Sequence, residues 1–145
     1  MEQRSSIITL GVRDLEKSRA FYSALGWEVS SKEEGIVCYD MNSFSFALFP
    51  IDELTKDAQL GEVPKATPCF TLAHNVRTKE DVSKTLLEAE KAGGRITKSA
   101  QDVFWGGHSG YFTDPDGYLW EVAFNPFSPL GSKGEFQWNG VEVED

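Results

Sequence analysis

One carboxylate in this chain stands where chemistry would need it. Glu121 interrupts the apolar run Leu119-Trp120-Glu121-Val122-Ala123-Phe124. Side chains alternate between the two faces of a strand, so a glutamate among aliphatic neighbours is presented to one face as a hydrogen-bond acceptor or base. Without chemistry, the same residue reads as a buried carboxylate satisfied by threonine or backbone donors. The two histidines lie in Leu72-Ala73-His74-Asn75-Val76 and directly after Gly106-Gly107. A bulge near Asn75 would turn His74 inward and give Glu121 a nitrogen partner for a divalent ion, with His108 as the other candidate. Otherwise His74 packs on the helix-facing or rim side of its strand and His108 is a polar loop residue. Phe104-Trp105-Gly106-Gly107-His108-Ser109-Gly110-Tyr111 sets an aromatic beside paired glycines, which lets backbone approach a ligand while the indole offers a stacking face. The competing reading is a turn whose glycines meet positive φ and whose Trp105 plugs the core.

The elements that must position these residues recur twice. Ser6 to Val12 reads as a strand, Asp14 as the N-cap of a helix, and Leu15, Ser18, Phe21, Tyr22 and Leu25 as its buried face, ending at Gly26. Three strand candidates follow at 27–30, 35–41 and 43–49. The stretch 51–67 is polar and reads as a linker. Pro68 to Val76 is then a strand, and Thr78 with Asp81 resembles a capping box that opens a helix on Val82, Leu86, Ala89 and Ala92, stopped by Gly93-Gly94. Strands at 94–98, 110–113 and 118–124 complete the pattern, the last two joined by the turn Asp114-Pro115-Asp116-Gly117. The expectation is an α+β fold, one domain over 1–145, made of two tandem βαβββ modules at about 5–50 and 68–126. Their curved mixed sheets would surround a shared cavity, and an arm would follow at 127–145. Phe136 and Trp138 would be costly on a free tail, so that arm is expected to pack on its own domain or on a second subunit.

Composition narrows the partners. The 145 residues, 40% hydrophobic, suit one ordinary globular core. With 23 acidic against 14 basic residues and a net charge of -9, the chain carries no basic stripe for nucleic acid or anionic membrane. No apolar run approaches the roughly 18 to 20 residues of a membrane span, and a cytoplasmic protein is the reading. Cys38 and Cys69 sit in apolar runs and read as buried thiols rather than a disulfide.

Two motifs, Val12-Arg13-Asp14-Leu15-Glu16-Lys17-Ser18 leading to Phe21-Tyr22 and Leu25-Gly26, and Phe112-Thr113-Asp114-Pro115-Asp116-Gly117-Tyr118-Leu119-Trp120-Glu121-Val122, together resemble the vicinal oxygen chelate superfamily. That family includes glyoxalase I, bleomycin-resistance proteins and extradiol dioxygenases, and the resemblance spans about 7–126. It implies metal ligands on the first and last strand of each half. Those positions fall here at about Ile7, Ala47, Thr71 and Glu121, so one carboxylate remains of four ligands and no cofactor is expected. The resemblance also implies a homodimer and a small-molecule ligand, partly aromatic or amphipathic, bound or sequestered rather than turned over. By alternation the contacts are Thr9, Ser45, Ala47, Thr71, Ala73, Asn75, Trp105 and Tyr111, with Glu121 as acceptor or base. The alternative is a metal-dependent lyase, isomerase or dioxygenase with the ion on Glu121 and His74 or His108. A scaffold protein with a cavity filled by its own aromatics is the third reading.

Overall fold

In the computed structural model, β1 (Ile7–Val12) runs into α1 (Leu15–Ala24), followed by β2 (Val37–Asp40), β3 (Ser45–Pro50) and α2 (Ile51–Asp57). After these come β4 (Leu72–Val76), α3 (Lys79–Lys91), β5 (Arg95–Asp102), β6 (His108–Thr113) and β7 (Leu119–Phe124). The structure describes residues 1, 3, 5–31, 33–59, 62–63 and 70–140. Cys69, the start of the strand expected from Pro68, most of the latter half of the expected linker and the last five residues of the arm lie outside them. The chain divides into two units, Met1–Thr67 and Pro68–Asp145.

Both long helices obey the same local chemistry. Asp14 accepts from the Lys17 amide at 2.9 Å, and Thr78 accepts from the Asp81 amide at 3.2 Å, satisfying amides that the first turn leaves open. Each helix ends in the paired bonds of a Schellman motif. Gly26 donates to Ser23 and Trp27 to Tyr22 in the first; Gly93 donates to Glu90 and Gly94 to Ala89 in the second. Gly26 and Gly93 take φ of 92° and 107°, where a β-carbon would be strained.

In the first unit, β1 pairs parallel with β3 and β2 antiparallel with β3, giving the order β1-β3-β2. Tyr22 of α1 meets Phe46 at 5.2 Å between ring centroids, and Trp27 stacks on Tyr22 at 5.1 Å. Phe21, Tyr22, Tyr39, Phe46, Leu10 and Leu48 are fully buried around them. The strand expected at 27–30 does not form. Trp27 spends its amide on the helix cap, and contact with β2 comes from side-chain packing and from Ser30, whose amide donates to the Cys38 carbonyl at 2.8 Å. Among the described residues this sheet therefore has three strands.

The expected linker holds a helix. Ile51, Leu54 and Thr55 recur at helical spacing, Thr55 is buried, and α2 packs on β1 and β3. Asp52 and Glu53 in its first turn and Lys56 in its last suit the helix dipole, so its polarity belongs to an amphipathic helix. Cys38 is a half-buried free thiol, pushed up by burial and by the carboxylates of Glu33 and Asp40.

In the second unit the order is β4-β7-β6-β5, with β4 parallel to β7 and the other pairs antiparallel. This is the expected βαβββ module. The buried Asp114 carboxylate accepts from the amides of Asp116 and Tyr118, each at 2.9 Å, and fixes the turn that sets the β6–β7 register. β5 runs four residues further than expected and β6 starts two residues earlier, because shifts of register between Ile96 and Gln101 let the hairpin continue. The described part of the arm is tied to the second unit. Arg77 donates to the carbonyls of Gly131 at 2.7 Å and Ser132 at 3.3 Å, and the Ser128 hydroxyl donates to the Trp138 carbonyl. Phe136 and Trp138 nonetheless keep 45% and 78% of their surface exposed, so backbone acceptors rather than aromatic burial hold the arm.

Candidate functional site

The two faces of the second sheet are distinguished by Gly110. A β-carbon there would meet Leu86 of α3 at 2.5 Å, so Gly110 looks at the helix. Its partner Val122, together with Trp120 and Phe112, shares that covered face, and the Phe112 and Trp120 rings stack at 6.1 Å. The opposite face, where Ser109 and Ala123 are buried and Ala73 is exposed, therefore carries Tyr111 and Glu121, which are directly paired across β6 and β7, and Ala73, which is paired with Glu121 from β4. Asn75 pairs with Ala123 two residues along on the same face. The register that the sequence predicted for Glu121 is thus the one the ladder adopts.

Glu121 is half-buried, and its Oε2 accepts from the Tyr111 hydroxyl. That bond to Glu121, with burial and the carboxylate's charge, pushes the Tyr111 pKa up to about 12. Thr71 is exposed at the head of β4 and donates to the Leu119 carbonyl at 3.1 Å, tying the strand ends together. On the far side of Tyr111, the Lys98 ammonium lies 5.5 Å from the ring centroid.

Neither histidine joins this face. His74 pairs with Val122 and His108 with Phe124, on the α3 side of the sheet. The bulge that would have turned His74 inward is absent, since β4 pairs without interruption from Leu72 to Val76. His74 keeps solvent access, yet the surrounding protein desolvates its ring and pushes it below the ordinary histidine range. His108 is bound through Nδ1 to Asp102 at 2.9 Å, and Asp102 also accepts from Lys79 at 2.7 Å. Lys79 and His108 together hold the Asp102 carboxyl below its usual range. These three close the β5–β6 hairpin against the start of α3.

Trp105 also stands apart from Glu121. Its indole lies so tightly on Gly107 that a β-carbon there would fall 1.9 Å from the ring, and Gly106 has φ of 95°. The glycine pair thus seats the protein's own indole and a tight turn. Gly107 precedes the His108–Phe124 pair, three residues along β7 from Glu121, which corresponds to about 10 Å of strand.

In the first unit, Thr9 pairs with Ala47, and Ser45 lies two residues before Ala47 on the same face. Ser45 donates to Asp40 at 3.1 Å, and Ala47 is fully buried. A β-carbon on Gly11, which shares the face of Thr9, would meet Ile51 at 2.9 Å and Leu54 at 3.2 Å, so α2 covers that end of the sheet.

A resident divalent metal does not fit the residues at the family's ligand positions. Ile7 and Ala47 offer no donor atom, the Thr71 hydroxyl is committed to backbone carbonyls, and Glu121 is engaged by a phenol. Among the described residues, no group of three His, Cys, Asp or Glu side chains is placed to hold an ion. Lys98 is the functional candidate that strand alternation alone does not find. Regular pairing would set Thr97 opposite Tyr111, and a bulge sets Lys98 there instead.

Residues 4–122 match the family model described as the Glyoxalase/Bleomycin resistance protein/Dioxygenase superfamily. No curated protein matches the chain. Among solved structures, a glyoxalase-related enzyme from Fulvimarina pelagi is 36% identical with a TM-score of 0.89, over 94% of this chain and 99% of that one. A glyoxalase/bleomycin resistance protein/dioxygenase family enzyme from Burkholderia phytofirmans PsJN is 22% identical with a TM-score of 0.71, over 82% and 96%. Lactoylglutathione lyase from Agrobacterium tumefaciens, at 21% identity, has a TM-score of 0.63 over 86% and 96%, a likeness of fold. The chain belongs to the glyoxalase/bleomycin resistance protein/dioxygenase superfamily.

Proposed function

We propose that the protein binds a small, partly aromatic or amphipathic molecule on the Tyr111–Glu121 face of its second sheet, without a catalytic metal. The observation that carries this reading is the Tyr111–Glu121 contact. The carboxylate at the one family ligand position that keeps a donor for metal is already held by a phenol of the same face. Ala73, paired with Glu121 from β4, is small and exposed, which leaves room beside the carboxylate for an apolar ligand body. Glu121 then serves as acceptor for a ligand hydroxyl or amine, and Tyr111 fixes its orientation.

Binding is favoured over turnover because, among the described residues, no ligand set is placed for the charge-stabilising ion of the family's chemistry. The relative from Fulvimarina pelagi is described as an enzyme, and that description supports a small-molecule site in the shared fold. The test is a thermal-shift screen of amphipathic aromatic compounds with excess chelator present. A compound at a hundred times its Kd adds about 2.7 kcal/mol to stability, which raises the melting temperature by several degrees. Glu121→Gln should weaken that response. A response that appears only after metal is restored would overturn the proposal.

A further inference from the structure

The Tyr111–Glu121 face holds two opposite charges that do not meet. Lys98 on β5 and Glu121 on β7 flank Tyr111 on β6. Both are half-buried, and among the described residues neither forms an ion pair. Lys98 rests over the tyrosine ring at 5.5 Å, and Glu121 takes the hydroxyl of the same tyrosine. Each has given up part of its hydration for one partner that is itself neutral.

The arrangement is built into the backbone. Ile96 pairs with Phe112 on the α3 side, and the next pair is Lys98 with Tyr111, so one extra residue is inserted in β5. Without that bulge Lys98 would fall opposite Gly110 and point at Leu86. With it, the ammonium is delivered to the Tyr111 face. Gly110 makes the bulge sterically possible, because a β-carbon there would meet the Lys98 carbonyl at 2.8 Å and the Ala100 amide at 3.1 Å. The strands carrying the two charges are separated by β6, about 10 Å apart at the backbone, and Tyr111 stands between them as a spacer.

We infer that the ligand is a zwitterion, with a protonated amine received by Glu121, a carboxylate received by Lys98, and a short apolar or aromatic body spanning Tyr111. Such a molecule supplies each half-buried charge with the opposite charge it lacks, through charge-assisted hydrogen bonds at both ends. This inference rests on the binding role proposed above and sharpens its ligand class. A ligand with one charge satisfies one end and leaves the other as it is.

Isothermal titration in chelator with p-aminomethylbenzoate, benzylamine and benzoate tests it. The zwitterion should bind about tenfold more tightly than either singly charged compound. Lys98→Met should abolish its advantage over benzylamine, and Glu121→Gln its advantage over benzoate. Lys98→Gln replaces Lys98→Met if the latter fails to fold. Equal affinity for all three compounds, no binding of any, or a ratio unchanged by the Lys98 substitution would overturn the zwitterion class. If neutral amphipathic compounds still bind in that case, the metal-free binding role stands; if they do not, both fail.

Discussion

The last strands of the two units show what a duplicated module keeps and what it changes. Thr9–Ala47 in the first unit and Ala73–Glu121 in the second occupy equivalent parallel ladders between first and last strand. Ala47 is fully buried, whereas Glu121 is half-exposed and engaged by Tyr111. The first unit folds α2 against that side of its sheet at Gly11, and among the described residues the second unit has no helix in the matching place. Duplication thus preserved the backbone solution of capped helix, glycine stop and parallel pair. The polar Tyr111–Glu121 pair stands on the sheet face that no helix of the second unit covers among the described residues.

The largest effect that sharpens this contrast is expected in the first unit's aromatic core. Phe46→Ala should cost about 3–5 kcal/mol, read as a lower urea midpoint, because a fully buried ring packed among Tyr22 and Trp27 leaves a cavity. The glycines of the two units rank next. Gly110→Ala meets backbone atoms of β5 and Leu86, and about 2–3 kcal/mol of destabilisation is expected. Gly11→Ala meets only the side chains of Ile51 and Leu54, which yield more easily, so its melting temperature should fall less. A larger loss at Gly11 would contradict the expectation that backbone obstruction at Gly110 costs more than side-chain obstruction at Gly11.

Smaller still, Thr78→Ala should cost about 1 kcal/mol by releasing the first-turn amide of α3. Hydrogen exchange at that helix's start would report the change. The last expectation concerns pH. The folded Tyr111 pKa of about 12 lies above the ordinary value of 10.0. Its stabilising contribution is therefore complete below pH 10 and is lost as pH rises from 10 toward 12. Glu121→Gln removes the largest cause of the shift, so the phenol's ultraviolet titration should move down toward its ordinary midpoint.

Much of this molecule can be read from its residues. Asp14, Thr78, Gly26 and Gly93 specify helix ends by local chemistry, and the Asp114–Gly117 turn sets a register that alternation carries to Glu121 and Tyr111. What escapes is decided by tertiary competition. Trp27 looks like a strand residue, but its amide is taken by the helix cap. The polar stretch after Pro50 conceals the apolar spacing of Ile51, Leu54 and Thr55, which matters only once Gly11 offers them a seat. Lys98 reaches Tyr111 through a bulge, and a bulge shifts the period-two pattern without any residue that announces it. Trp105 and its glycines read as a ligand rim, and the seat that Gly107 gives the indole is a tertiary contact that the sequence pattern does not announce.

The central claim is that Glu121 is partnered by Tyr111 in place of a metal ion. Its most direct test is elemental analysis of untagged protein after mild chelation and re-addition of zinc, nickel, manganese and iron, with Glu121→Ala in parallel. The account predicts substoichiometric metal in both proteins. One equivalent of metal retained by the native chain and lost in Glu121→Ala would contradict it.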